Sequence, residues 1–333
     1  MRANMTHPMI DRRRFIAISA AAGLAIPMAR AKTTVQMQRW RGGAMGAKAQ
    51  IMLYGSTNAQ EIFNKCQREI TRLERIFSLY IPGSAIRRLN RDGFLDNPDI
   101  EFLDLLSRCL TCYQITNGAF DVTIQPLWKL YADHFAAPNA DPAGPSDTAI
   151  AQTLELVGSD KILMDSRRIS FTRPGMGISL NGVAQGYITD RVVSLLKAEG
   201  YRNILVHMGE TYAMGHHSDG RPWTVGISSP LKDHRTMLEL PLDHQALATS
   251  GGYGSPFSDQ SKLHHLLDPK TGRSADHYGA VSVVARDTTT ADMLSTAFYV
   301  MPFERVAQVW TKYPQLERAI FVDPAGKITD FKG

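Results

Sequence analysis

Short β-branched runs and longer amphipathic stretches follow one another in this chain without a strict βαβ rhythm, which favours an α+β architecture over a doubly wound parallel sheet. Residues 203–206, 223–227, 238–240 and 280–284 read as strands from their β-branching and alternation. Ile62, Cys66, Ile70, Leu73 and Phe77 recur at helical spacing behind a capping-box pattern at Asn58-Ala59-Gln60-Glu61. They predict a helix over 59–77. A second helix is expected over 99–116, with Leu103, Leu106, Leu110 and Tyr113 inward and Asn117-Gly118 as its stop. A third is expected from near Gly182 to Gly200. The chain shows no internal repeat. Its clearest loop is the proline-rich stretch 136–145, where two lobes of one large body would separate.

The N-terminus reads as an export leader. Arg12-Arg13-Arg14-Phe15-Ile16 precedes an apolar run ending near Pro27, and Ala29-Arg30-Ala31 supplies a small-x-small cleavage site. The paired arginines resemble a twin-arginine signal, with a plain secretory leader as the competing reading and the periplasm as the implied location. The expected division is therefore a leader over 1–31 and a functional body over 32–333. The apolar run is shorter than the roughly 20 residues that a membrane-spanning helix requires. No stable membrane insertion is expected. The formal charge of +5 belongs mostly to the leader: residues 1–31 carry five arginines against one acid, so their removal leaves +1. A dense basic stripe with interleaved aromatics is absent, which argues against nucleic-acid binding. Cys66, Cys109 and Cys112 read as small core residues rather than a zinc or redox set.

Several segments carry oxygen and imidazole ligands. Asp292 and Thr296 stand four apart in a helical pattern, so a carboxylate and a hydroxyl share one face and can meet one hard cation, magnesium before zinc. The same spacing also suits a helix cap and a core-facing threonine. Ser179-Leu180-Asn181-Gly182-Val183-Ala184-Gln185-Gly186 places glycines around a helix start, where amides can face an anion, or where glycine serves packing. In Gly118-Ala119-Phe120-Asp121, Phe120 can cover a flat ring and Asp121 can accept hydrogen bonds from a base or ribose, or both can serve the core and a turn. Thr249-Ser250-Gly251-Gly252 suits a phosphate-facing loop before His264-His265. Adjacent residues of a strand point to opposite sides, so one of these two histidines enters the site; motif position selects His265. His207, His234 and His244 read as surface or packing residues.

In order along the chain, these elements resemble the ApbE family of FAD:protein FMN transferases. The resemblance rests on Met45-Gly46, Gly118-Ala119-Phe120-Asp121, the 180–190 glycine segment, Thr249-Ser250-Gly251-Gly252, His265-x-x-Asp268-Pro269-x-Thr271-Gly272, and Asp292-x-x-x-Thr296. It implies a T-fold-related mixed structure that binds FAD as substrate. Mg²⁺ would be held by Asp292, Thr296 and a main-chain oxygen of Gly182. Met45, Tyr80, Ala119, Phe120, Asp121, Ser179, Gln185 and Leu266 would line the nucleotide, with His265 against the pyrophosphate. His265 and Asp292 would be the catalytic residues. The family commonly has Asp and Lys where this chain has Ser179 and Gln185, and Met208-Gly209-Glu210 replaces the usual Gly-Gly-Asn or Gly-Gly-Asp. With these departures and its leader the chain looks most like the NosX branch, which implies the flavoprotein NosR of nitrous oxide reduction as acceptor, modified on a threonine. The loss of two charges keeps open a non-catalytic FAD carrier. A Mg²⁺-dependent FAD pyrophosphatase, with water as nucleophile, is the third reading.

Overall fold

The computed structural model describes residues 36–55, 59–231, 235–258 and 262–333. The leader reading of 1–31, Asn58 of the capping box, and His234 lie outside the described residues. In chain order the strands are β1 (Met37–Ala44), β2 (Ala47–Tyr54), β3 (Phe94–Asp96), β4 (Ile162–Met164), β5 (Arg168–Phe171), β6 (Ile204–His207), β7 (Thr211–Met214), β8 (Trp223–Ser228), β9 (Thr236–Leu242), β10 (Gln245–Ser250), β11 (Ala280–Ala285), β12 (Leu316–Val322) and β13 (Ile328–Phe331). The helices are α1 (Ala59–Phe77), α2 (Ala85–Asp92), α3 (Ile100–Ile115), α4 (Gln125–Ala136), α5 (Asp147–Leu154), α6 (Ala184–Ala198), α7 (Thr288–Val300) and α8 (Val306–Trp310).

Eight strands form one sheet in the order β1-β2-β6-β7-β10-β11-β12-β13, and every pairing in it is antiparallel. Alternation along the strands sorts side chains to two faces. Ile51, Leu53, Ile204, Val206, Val281, Val283, Ala319 and Phe321 enter the main core with α1, α3, α6 and α7. Met52, Leu205, Val284 and Ile320 point the other way, into a second core closed by Trp223, Val225, Ile227, Leu240 and Leu242 of the β8–β9 hairpin. Both faces are thus covered, and all six residues of β11 are buried. Central strands with two dry faces read as continuous apolar runs, which is why β11 is plain in the sequence.

Helix α1 spans the expected residues because its apolar positions lie on a single stripe. Helix α3 presents a different face from the expected one. Phe102, Leu105, Leu106, Cys109 and Cys112 are buried, whereas Leu103, Leu110 and Tyr113 are only partly so. Apolar residues occur on two adjoining stripes of this helix, and the stripe bearing Phe102, which meets Phe77 edge-on at 6.1 Å between ring centroids, packs deeper. All three cysteines are free and buried, and burial pushes the Cys66 thiol up to about 12, as befits inert core residues.

Helices α6 and α7 approach very closely. A Cβ on Gly186 would lie 2.4 Å from the Thr288 carbonyl oxygen and 2.8 Å from Asp292 Cβ, so no other residue fits there. Four residues on, Asp190 faces the start of α7. Its Oδ1 accepts from the Thr288 amide at 2.8 Å and from the Thr288 hydroxyl; its Oδ2 accepts from the Thr289 amide at 2.8 Å and hydroxyl at 2.5 Å. Asp287 caps the same helix through the Thr290 amide at 2.8 Å. The orphan amides of the α7 N-terminus are thereby satisfied from two directions. Gly186→Ala should destabilise the fold by about 2–3 kcal/mol through overpacking. Urea denaturation measures this, and an unchanged midpoint would show that the helices can part at this point without cost.

Candidate functional site

A cavity of about 280 Å³ opens where the segment before α6, the β6–β7 turn, the end of β10, the 265–269 segment and α7 meet. Ten residues singled out in the sequence line it: Ala119, Phe120, Asp121, Ser179, Gly182, Gln185, His265, Leu266, Asp292 and Thr296. Met45 and Tyr80 do not. Met45 is buried, with φ 49°, and its amide donates to Glu74 Oε1 at 2.7 Å. Tyr80 is 56% exposed in the turn after α1. The neighbouring Ala47 and Lys48, past the β1–β2 turn, reach the cavity where Met45 does not.

The expected metal donors converge. A Cβ on Gly182 would sit 3.1 Å from Thr296 Oγ1, so the missing side chain lets the main chain before α6 approach that hydroxyl. Asp292 lies one turn earlier on α7, 5% exposed, and its Oδ2 accepts from the Gly186 amide at 2.9 Å. Burial, aided by the charge of Asp190, pushes the Asp292 carboxyl up to about 7 against that single hydrogen bond. Glu210, at the β6–β7 turn, is the buried acid that motif reading left out of the site. Burial raises its carboxyl well above the ordinary range, the Asp292 charge adds to this, and a main-chain bond from Thr249 opposes it. No cationic side chain pairs with either acid among the described residues. No group of three or more His, Cys, Asp or Glu side chains at metal-binding spacing occurs among them either. The donor set is two carboxylates supplemented by hydroxyls and main chain, all hard oxygens, which fits a magnesium-type cation and not a zinc-type one.

The segment is not a strand, His264 making an isolated bridge to Pro256, yet the two histidines still face different ways. His264 is buried, its ring edge-on to Tyr299 with 5.7 Å between centroids. His265 lines the cavity, and its Nδ1 lies 3.2 Å from the Ser255 carbonyl oxygen. A carbonyl only accepts, so Nδ1 carries the proton, and in the neutral ring Nε2 is the acceptor. His207 was expected to be an ordinary packing residue, yet it lines the cavity beside Glu210. Its Nδ1 meets Thr211 Oγ1 at 2.9 Å, and burial lowers it to about 4, so it stays neutral. The sequence pointer to both residues is the glycine between them, Gly209, whose φ is 97° in the structure, a turn geometry that a bare Met-Gly-Glu string does not announce.

Asp121 is largely spoken for within the fold. Its Oδ1 accepts from the Thr123 amide at 2.8 Å, the Thr123 hydroxyl at 2.6 Å and the Ser159 hydroxyl at 2.7 Å. Burial raises its carboxyl while these donors hold it back. It anchors the turn that presents Ala119 and Phe120. Ser179 caps its own turn through the Asn181 amide at 3.3 Å. The Gln185 side chain lies against Gly209, where a Cβ would come within 2.7 Å of Nε2.

Fold and site together define the class: an α+β protein whose antiparallel sheet supports an oxygen-lined cavity suited to a phosphate-bearing ligand and a hard cation. The ApbE family model matches residues 45–321, and the chain belongs to the ApbE family. It is 26% identical over 308 residues to a FAD:protein FMN transferase of Haemophilus influenzae, covering 88% of each chain. Among solved structures it resembles the ApbE protein of Thermotoga maritima at TM-score 0.77 and 28% identity, over 88% of this chain and 96% of that one. It also resembles the apo flavinyl transferase ApbE of Pseudomonas stutzeri, at TM-score 0.74 and 26% identity over 90% and 96%. The mixed α+β, ApbE-like architecture expected from the sequence is the one observed. No helix of the described residues is long and apolar enough to cross a membrane.

The buried acids set a pH dependence whose sign is determined. Folding raises the Asp292 pKa from an ordinary carboxylate value to about 7. Below the unfolded value the acid is neutral in both states; as pH climbs through the folded value, the native protein must ionise a buried group and loses stability. Metal-free protein in chelator should therefore melt lower at about pH 8 than at about pH 5.5, and Asp292→Asn should flatten that slope. Identical slopes for both proteins in thermal melts would place the titration elsewhere.

Proposed function

We propose that this chain is an FAD:protein FMN transferase that moves FMN from FAD to a threonine hydroxyl of an acceptor flavoprotein and releases AMP. The observation that carries the reading is convergence: Gly182, His265, Asp292 and Thr296, from three distant segments, line one cavity with Phe120, Ser179 and Gln185. Family membership over residues 45–321 and relatives bearing that activity in their names support it.

Asp292, Thr296 and main-chain oxygen at Gly182 would hold Mg²⁺, which when bound supplies positive charge to the pyrophosphate oxygens. Phe120 offers an apolar face to a ring system. In the transfer, a bond forms between the threonine oxygen and the flavin-side phosphorus, and the bond from that phosphorus to the AMP oxygen breaks. His265, with its Nδ1 on the Ser255 carbonyl oxygen, is the group assigned to stabilise the phosphate or to take the hydroxyl proton. The residues otherwise contribute positioning and charge neutralisation, the main demands of phosphoryl transfer.

The finer reading places the chain in the NosX branch, exported to the periplasm by its twin-arginine leader, with NosR as acceptor. Ser179, Gln185 and Glu210, together with Arg12-Arg13-Arg14-Phe15, support it.

Incubation of the mature chain with FAD, Mg²⁺ and a threonine-bearing NosR domain should yield acceptor carrying FMN by mass spectrometry, together with AMP. Asp292→Ala should lower the yield roughly 100-fold or more while leaving the fold intact. Stoichiometric FAD binding without AMP release would overturn the proposal in favour of a flavin carrier. Free FMN plus AMP without acceptor modification would overturn it in favour of a pyrophosphatase.

A further inference from the structure

Three hydroxyls join the end of β10 to α7, and the last bond of the chain they form fixes every proton in it. Ser295 Oγ lies 2.9 Å from the main-chain carbonyl oxygen of Asp292. That oxygen only accepts, so Ser295 spends its single proton there. Ser250 Oγ lies 2.8 Å from Ser295 Oγ, and Ser250 must therefore donate in this contact. It then has no proton for the 3.2 Å contact with Thr296 Oγ1, so Thr296 donates to Ser250. The direction runs from Thr296 to Ser250 to Ser295 to the Asp292 carbonyl.

Two consequences follow for Thr296. Its own helical back-bond acceptor, four residues earlier, would be that same Asp292 carbonyl, and Ser295 already occupies it. Its proton is drawn toward Ser250, so what the hydroxyl turns to the cavity is lone-pair density. A threonine free to rotate could instead aim its proton at a phosphate oxygen and repel a cation.

The geometry points to Ser250 and Ser295 as positioning residues that make Thr296 a dedicated cation acceptor. This rests on the divalent-cation reading of Asp292, Thr296 and Gly182. Ser250 lines the cavity, whereas Ser295 is 1% exposed and is not among the cavity-lining residues. An effect of Ser295 on the cation must therefore travel through the hydroxyl chain. In Ser295→Ala the Ser250 proton loses its acceptor and can turn to Thr296 Oγ1, which sends the Thr296 proton into the cavity.

The test is Mn²⁺ binding to the FAD-loaded mature chain, followed by electron paramagnetic resonance of the free ion. Ser295→Ala and Ser250→Ala should each weaken Mn²⁺ about tenfold, the usual scale for partners that orient a metal ligand. Ser250→Thr keeps the hydroxyl and should bind within about twofold of the unaltered chain. If Ser295→Ala does not fold, the contrast between Ser250→Ala and Ser250→Thr carries the test. Thr296→Val separates the two levels of inference. Weak Mn²⁺ binding by Thr296→Val beside unchanged binding by both alanine variants would overturn the hydroxyl chain and leave the cation site standing. Unchanged binding by Thr296→Val itself would overturn the cation role of Thr296, and the positioning role with it.

Discussion

The contact between α6 and α7 sets the position of Asp292 and Thr296 in the cavity. At Gly186 the two backbones meet with no intervening side chain, and the Gly186 amide reaches Asp292 at 2.9 Å. Asp190, on the same face of α6 one turn later, gathers four donors from Thr288 and Thr289. The first holds the helices together laterally, and the second prevents α7 from sliding along its axis. Because α7 also packs on β10 and β11, a shift of this helix would displace Thr296 from both Gly182 and Ser250. Asp292 and Thr296 thus sit on a rigid helix, whereas Glu210 and His265 reach the cavity from a turn and an irregular segment.

The buried acids separate by how well the protein satisfies them. Asp190 and Asp121 each accept four hydrogen bonds, and both act as clamps within the fold. Asp292 has the Gly186 amide and Glu210 a main-chain bond from Thr249, yet these two are buried as deeply and face the same cavity. A folded protein leaves such groups under-satisfied where a ligand completes them, since an unpaired buried charge costs several kcal/mol. The imbalance marks Asp292 and Glu210 as the under-satisfied acids of the cavity.

Legibility in the sequence followed the simplicity of each local pattern. The 59–77 helix could be read to the residue because its apolar positions form one stripe, and β11 because both its faces are dry. The inward face of α3 was misread because two stripes compete, and the winner is decided by Phe77 across the core. Strand β1 escaped notice since charged and glycine residues break its alternation at the sheet edge, and β2 since its buried run Ile51-Met52-Leu53 is short and does not alternate. Asp292, Thr296 and His265 were legible from spacing and alternation, which are local. Glu210 and His207 were not, because their roles arise only when the β6–β7 turn is folded against α7, and nothing in Val-His-Met-Gly-Glu encodes that neighbour.

The same geometry gives a physical reason for the paired departures at Ser179 and Gln185. Gln185 lies against Gly209, immediately before Glu210, in a cavity lined by Asp121 as well as by the Glu210 and Asp292 pair. A lysine at 185 would place an ammonium near that pair and offset part of its charge from within the protein. With a neutral amide there, Lys48 is the cationic side chain that remains on the cavity wall among the described residues. Ser179, in turn, caps its own turn through Asn181 at 3.3 Å, work that a hydroxyl does without adding a further negative charge to the cavity wall. Losing one positive and one negative group together leaves the net charge of the cavity unchanged.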